Sequence, residues 1–135
     1  MSLEWDKGLQ ALVGGHSKSI LDKAVSQSCD IDKQFEKAEP NEHRWDYVIE
    51  RKPANGDSRT AAGVEVHGAS TGEVKVIVAK KQWAEQKVAD EESDLLMTKW
   101  WWVPTAGVSF TKTTKYARML AKHGIEFPSK AIRNL

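Results

Sequence analysis

The sequence predicts one α/β (α+β) domain in which a single small mixed sheet is flanked by helices. Three patterns predict this class: two strand-like segments joined by a turn, a segment with the three- and four-residue repeat of a helix, and an aromatic strand after that helix. The chain has 135 residues, of which 40% are hydrophobic. A single domain of this size, residues 1–135, buries about two-thirds of its unfolded surface and needs no disulfide or structural metal.

A helix near the N-terminus is the first predicted element. Ser17 follows a pair of glycines and is placed to cap that helix, because a serine oxygen can accept from a free backbone N–H of the first turn. The apolar residues expected on its buried face are Ile20, Leu21, Ala24 and Val25. The sequence therefore predicts a helix over about 17–25.

A β-hairpin is predicted to follow. Its first strand is the aromatic and β-branched segment 45–49, its turn is Asn55-Gly56-Asp57, and its returning strand is 61–69. Side chains alternate between the two faces of a strand, so Glu65 and His67 are expected side by side on one face.

The second predicted helix begins at a capping-box pattern. Ser70 and Glu73 have the Ser-x-x-Glu spacing in which each side chain accepts from the other residue's backbone N–H. Apolar residues then repeat at three- and four-residue steps over 74–88. The β-branched run 76–78 would also suit a strand, but the cap favours a helix. An acidic loop, 90–94, is expected after it.

Three consecutive tryptophans lie in the next predicted strand, 99–103. Pro104 is expected to stop this strand, and residues 108–110 to form a short return strand. Alternation sends Trp100 and Trp102 to one face and the middle tryptophan to the other. Burial in a strand covered on both sides would account for all three; the alternative is an exposed indole that stacks on a nucleic-acid base.

The last third of the chain is basic and is predicted to end in a helix. Either Thr113 or Thr114 can cap this helix, and Gly124 would end it. From Leu96 onwards the net charge is +6, whereas residues 1–95 carry −5. The basic side chains could neutralise phosphates or simply form a solvated helical face. The candidates for nucleic-acid binding are Lys112, Lys115, Arg118 and Lys122.

Cysteine content and hydropathy predict a cytoplasmic protein. The chain has one cysteine, Cys29, so it can form neither an internal disulfide nor a paired-cysteine zinc site. A reducing compartment suits this composition. No apolar run approaches the roughly 20 residues that cross a bilayer, so the sequence also predicts no membrane partner.

Two carboxylates on the predicted hairpin are the strongest chemical signal. The chain lacks the glycine-rich loops that bind nucleotides, the GxSxG serine motif and the HExxH zinc motif. Asp46 and Glu65 lie on paired strands, and carboxylate oxygens are the ligands that Mg²⁺ and Mn²⁺ favour. Such a metal can orient and deprotonate a water and offset charge on a phosphate. The alternative is a pair of ordinary exposed strand acids.

The order of these elements resembles the core of the PD-(D/E)xK, or restriction-endonuclease-like, nuclease superfamily. The resemblance spans residues 17–110 and consists of a helix, a strand with Asp46, a strand with Glu65-Val66-His67, a helix and a further strand. It implies that Asp46 and Glu65 bind the metal, with the backbone carbonyl of Val66 as a third ligand.

His67 departs from that family's pattern, which has lysine at this position. A neutral imidazole stabilises an attacking hydroxide or a phosphate less well than an ammonium group does. Lys80 or Lys81, on the following helix, could reach back as the substitute. The resemblance also implies an upstream acid, for which Glu36 and Glu42 are both candidates.

Two classes of function follow from these observations. The first is a nuclease-like domain that hydrolyses phosphodiester bonds in DNA with Mg²⁺ or Mn²⁺, or one that binds nucleic acid without cutting because its site has decayed. The second is a non-catalytic domain that binds a protein partner, which the nearly equal totals of 20 basic and 19 acidic residues favour. A homodimer would supply the two sites that cutting both strands of a duplex needs. A small-molecule binder is a third class, but no ligand signature supports it.

Overall fold

The computed structural model describes residues 3–53 and 58–135, which form one five-stranded sheet with three α-helices and confirm the predicted α+β class. The strands are β1 (Asp6–Lys7), β2 (Val25–Asp30), β3 (Tyr47–Arg51), β4 (Arg59–Ala69) and β5 (Leu95–Val108). The helices are α1 (Ile31–Phe35), α2 (Val74–Glu91) and α3 (Lys115–Lys122), with short 3-10 turns at His16–Ser19 and Thr71–Glu73. Within the described ranges, no helix combines the length and the apolar character of a membrane span.

The sheet is mixed, and its strands lie in chain order. Strands β1 to β4 pair antiparallel with their neighbours, whereas β5 pairs parallel to β4. A parallel pair needs a crossover, and α2 provides it. The predicted pairing of the hairpin strands is confirmed, with Tyr47 opposite Val64. The predicted turn at Asn55-Gly56-Asp57 lies outside the described residues.

A hydrophobic core lies on each face of the sheet. Helices α2 and α3 cover one face, where Trp45, Trp100 and Trp102 are buried. Residues from the segments 9–20 and 132–135 cover the other face, against which Trp101 packs. The predicted alternation of the three consecutive tryptophans is confirmed.

Gly63 lets an indole pack directly on the backbone of β4. A Cβ atom at this position would lie 2.3 Å from Cε3 of Trp100, which is closer than real contacts allow. Trp100 in turn packs edge-on against Trp45, with ring centroids 5.1 Å apart. The glycine therefore sets the position of Trp100 in the core.

The predicted helix over 17–25 is wrong. The chain instead forms the 3-10 turn His16–Ser19 and then runs extended into β2. Ile20 makes a parallel bridge with Ile132, and Ile132 N donates to the Ser19 carbonyl at 2.8 Å. These pairings with the distant end of the chain satisfy the backbone of the segment, and they override its helical spacing.

The predicted return strand at 108–110 is also wrong, because β5 continues through Pro104 to Val108. A proline cannot donate to a sheet, but β5 is the last strand in the sheet order, so it is paired with a full strand on one side only. The register with β4 also shifts between His67 and Ala69, next to the position of the proline. This irregularity accommodates the proline within a continuous strand.

The start of α2 differs in detail from the predicted capping box. The helix forms as predicted, and its apolar residues Val74, Ile77 and Ala84 are buried. The Ser70 side chain makes no capping hydrogen bond, and a 3-10 turn precedes the helix. The predicted acidic loop is shorter than expected, because α2 extends to Glu91. Glu92, which follows the helix, is buried and paired with Arg59 at 3.0 Å.

The prediction for α3 is confirmed, and the structure selects Thr114 as its cap. The Thr114 side chain accepts a hydrogen bond from Ala117 N at 3.4 Å. Gly124, two residues after the helix, has a φ of 71°, a conformation that side chains with a Cβ disfavour. Local sequence signals therefore place both ends of this helix, with Thr113 and Thr114 as alternatives at its start.

Replacing Thr114 with alanine should lower the free energy of unfolding by about 1 kcal/mol, because a backbone N–H of the first turn loses its side-chain acceptor. Urea denaturation followed by circular dichroism would measure the change. Thr113→Ala is the matched control, since this neighbouring threonine is exposed and does not cap the helix. Equal losses in the two variants would contradict the assignment of the cap.

Candidate active site

The side chains of Asp46 and Glu65 connect the residue before β3 to β4. Asp46 directly precedes β3, and its backbone N donates to Glu65 Oε1 at 2.9 Å. Val66 N, next to Glu65 on β4, donates to Asp46 Oδ2 at 2.9 Å. The hairpin and the two-residue alternation thus bring the two predicted metal ligands together, and each carboxylate is fixed by a backbone donor of the opposite strand.

The two carboxylates differ in exposure. The Glu65 side chain is 0% exposed, whereas Asp46 is only partly buried. Burial and the nearby charge of Asp46 raise the pKa of Glu65 to about 8. Burial also raises the pKa of Asp46 above its usual range. A ligand from solvent would therefore reach the pair from the side of Asp46.

Of the two candidate lysines on α2, Lys80 reaches the carboxylates. Its Nζ lies 2.5 Å from Glu65 Oε2, and its side chain is largely buried. Lys81 instead pairs with Glu85 at 3.0 Å and lies over the ring of Trp100. The structure therefore brings Lys80, and not Lys81, to Asp46 and Glu65.

His67 lies beside this pair and is oriented by Glu73. Its Nε2 is 2.9 Å from Glu73 Oε2, and its Nδ1 is 3.5 Å from Lys80 Nζ. The same Nδ1 is also 3.5 Å from Glu65 Oε2, so the imidazole lies between Glu73 and the pair formed by Lys80 and Glu65. Trp102 Nε1 also donates to the His67 carbonyl at 2.9 Å, which anchors this residue to β5.

Sequence reasoning missed the role of Glu73. The residue was assigned to a capping box with Ser70, and in the structure its carboxylate contacts His67 instead. The contact spans the turn between β4 and α2, where neither the strand repeat nor the helix repeat applies. No local pattern therefore indicates it.

Neither candidate for the upstream acid is brought to the site by a described contact. Glu36 and Glu42 are both exposed. After burial, the negative charges of Asp32 and Asp30 also raise the pKa of Asp46. Asp32 N also donates to the Asp46 carbonyl at 3.4 Å, so the start of α1 is fixed next to the site.

The predicted nucleic-acid-binding side chains lie on α3 or just before it. All four are exposed: Lys112, Lys115, Arg118 and Lys122. Lys112 lies over the ring of Phe127, and Arg118 donates to the Thr113 carbonyl at 3.1 Å. Among the described residues, none of these four side chains makes a hydrogen bond or ion pair with Asp46 or Glu65.

The described residues contain no group of three or more His, Cys, Asp or Glu side chains arranged to bind a metal. Any cation would therefore need the two carboxylates together with backbone oxygen or water. Cys29 is not an alternative centre, because burial raises the pKa of its thiol to about 12 and keeps it protonated. The candidate site therefore offers two neighbouring carboxylates, one ammonium group and one imidazole.

Comparison of the chain with known protein families, with characterised proteins and with solved structures gives no match.

Proposed function

We propose that this chain is a cytoplasmic, divalent-metal-dependent nuclease that hydrolyses phosphodiester bonds in DNA, and that it is a divergent member of the PD-(D/E)xK superfamily. The observation that carries the proposal is the contact of Lys80 Nζ with Glu65 Oε2 at 2.5 Å. It supports the proposal because it supplies an ammonium group beside the two carboxylates, where His67 replaces the family's lysine.

The order of the elements supports the same proposal. Asp46 precedes β3, Glu65 lies on β4, α2 carries Lys80, and β5 completes the series. This is the series on which the resemblance to the superfamily rests, with one difference, since an extended segment replaces the predicted first helix. The part of the series that would carry the chemistry is retained.

The donor atoms suit a hard divalent cation such as Mg²⁺ or Mn²⁺. Asp46 accepts one hydrogen bond and Glu65 accepts two within the described residues, whereas a carboxylate has about four acceptor positions. Lone pairs therefore remain on both side chains for a metal. These two carboxylates would hold it, with the Val66 carbonyl as the third ligand that the resemblance implies. When bound, such a cation orients and deprotonates a water and offsets charge on the phosphate.

The protein's own side chains have distinct roles in this proposal. Lys80 is held by Glu65 and provides positive charge against the developing charge of the phosphate. His67 is fixed by Glu73 with its Nδ1 directed towards Lys80, so it positions the ammonium group. Asp46 keeps Glu65 in place through its backbone N. This arrangement positions the side chains before substrate binds.

The test is cleavage of a panel of single-stranded, duplex and branched DNA in Mg²⁺ or Mn²⁺. The Asp46→Asn, Glu65→Gln double variant should lose at least about a hundredfold in cleavage rate, because it removes both charged metal ligands. The matched control is the Glu85→Gln, Asp90→Asn double variant, which makes the same chemical changes on the exposed side of α2. That control should cut like the unmodified protein.

Cleavage that survives in the Asp46 and Glu65 variant would refute the proposed site, since it would come from another centre or from a contaminant. Absence of cleavage in either metal by the unmodified protein would refute the nuclease. If salt-sensitive binding to the same DNA panel were absent as well, the result would favour the protein-binding class.

A further inference from the structure

A groove of about 510 Å³ lies between the start of α2 and α3. Its lining is apolar where Val74, Tyr116 and Met119 meet, and the exposed residues Lys75 and Lys115 contribute its charge. Lys115 Nζ lies over the ring of Tyr116, 5.3 Å from its centroid. The groove therefore combines an aromatic ring and an apolar surface with two cations, one from each helix.

The groove is linked to the candidate active site through the turn that precedes α2. Gly72 and Val74 both line the groove, and Glu73 lies between them in the chain. Glu73 Oε2 is 2.9 Å from His67 Nε2, and His67 Nδ1 is 3.5 Å from Lys80 Nζ. A ligand that occupies the groove would thus extend towards the carboxylates of Asp46 and Glu65.

The chemistry of the groove distinguishes between forms of nucleic acid. Duplex DNA presents phosphates to a surface but keeps its base faces stacked inside, so an apolar lining would gain little from it. A single strand offers both an unpaired base for an aromatic ring and a phosphate for a cation. The volume falls within the range of about 300–1,000 Å³ that is typical of ligand pockets. The net charge of +6 from Leu96 onwards complements a polyanion.

We propose that this groove binds an unpaired nucleotide of a single-stranded DNA segment, with its base against Tyr116 and Met119 and its flanking phosphates on Lys75 and Lys115. The choice of ligand rests on the proposed function. The groove would hold the strand on one side of the scissile bond and direct it to Asp46. The protein would then prefer substrates that carry a single-stranded region next to the cleavage position.

The test is fluorescence anisotropy with a labelled oligothymidylate and with a duplex of equal length, in EDTA, on the Asp46→Asn background so that nothing is cut. The single strand should bind more tightly than the duplex. The Lys75→Ala, Lys115→Ala double variant should bind the single strand about tenfold more weakly at 0.1 M salt, because two phosphate contacts are lost. Its slope of log K against log salt should be shallower by about 1.4.

The Tyr116→Leu variant keeps an apolar side chain but removes the aromatic face, so single-strand binding should weaken about fivefold or more. Lys18→Ala, Lys23→Ala is the matched control, because it removes the same charge from exposed positions in the N-terminal segment, away from the groove. The control should bind like the parent. Thermal unfolding of each variant shows that a weakened complex does not reflect a lost fold.

Equal weakening in the groove variant and the control, or tighter binding of the duplex, would overturn the groove proposal. Because binding is measured without metal, it is independent of cleavage. Groove-dependent binding by a protein that never cuts would refute the nuclease and retain the groove. Cleavage at an unchanged rate in the Lys75→Ala, Lys115→Ala variant would refute the groove and retain the nuclease. The absence of both cleavage and binding would refute both proposals.

Discussion

Replacing Gly63 with alanine should lower the free energy of unfolding by about 3 kcal/mol or more. The new Cβ would lie 2.3 Å from Cε3 and 2.6 Å from Cζ3 of Trp100. Neither partner can easily move, because β4 is paired on both sides and the Trp100 ring is buried against Trp45. Overpacking in a dense core forces strained rotamers and backbone shifts, which commonly cost about 1–3 kcal/mol and sometimes more.

Urea denaturation of Gly63→Ala, Trp100→Leu and the double variant would measure the effect. A smaller side chain at position 100 makes room for the Cβ, so the double variant should lose much less stability than the sum of the two single losses. Gly107→Ala is the control, because a Cβ there meets nothing within 4 Å and the strand is exposed at that point. Additive losses would show that Gly63 and Trp100 are not coupled.

Replacing Lys80 with methionine should lower the free energy of unfolding by about 1 kcal/mol more at pH 9 than at pH 6, both in EDTA, because Glu65 can stay protonated in the variant and one pH unit of ionisation is worth about 1.4 kcal/mol. The reason lies in Glu65, whose pKa is raised to about 8 by burial and by Asp46. A carboxyl with a raised folded-state pKa stabilises the protein while protonated, and this stability is lost as the pH rises through about 8. Lys80 limits the loss because it pairs with the ionised form.

At pH 6 Glu65 is protonated, so the ion pair does not exist and its removal has little effect. Chemical denaturation at several pH values between 6 and 9 would therefore show a difference between the two proteins that grows with pH. Lys81→Met is the matched control, since Lys81 pairs with the exposed Glu85 and its replacement should have no such pH dependence. A Lys80→Met loss that is constant across this range would contradict the ionisation of Glu65 as its cause.

Elements with a self-contained local pattern were predictable from the sequence. The strands β3 and β4, the long helix α2 and the helix α3 all follow from repeats and capping residues within a few positions of each other, although Thr113 and Thr114 remained alternative caps of α3. The N-terminal helix failed because Ile20 is held by Ile132, a partner more than a hundred positions away. The strand end predicted at Pro104 was wrong for a related reason, because a strand tolerates a proline only at certain places in a sheet and β5 is the last strand.

In the candidate site, too, local patterns place some residues and packing between layers places the others. Strand alternation and hairpin pairing are enough to bring Asp46 next to Glu65 and to place His67 on the same face. The choice between Lys80 and Lys81 depends on the rotation of α2 about its axis relative to the sheet. The apolar repeat places Lys81 with the buried face, where it lies over Trp100, and leaves Lys80 to turn towards β4. That rotation is set by packing between layers, which a linear pattern does not contain.

The two faces of the sheet close at different stages of synthesis. The helical face is covered by α2, α3, Ile125 and Phe127, which are complete once Phe127 has been added. The opposite face, with Tyr47 and Ile49, also needs Ile132 and Leu135, and Leu135 N binds Asp22 Oδ2 at 3.0 Å. A nascent chain that has emerged as far as Phe127 therefore carries a half-covered sheet with an open apolar surface, which is the kind of intermediate that chaperones bind. This surface is covered once residues 132–135 pack on it.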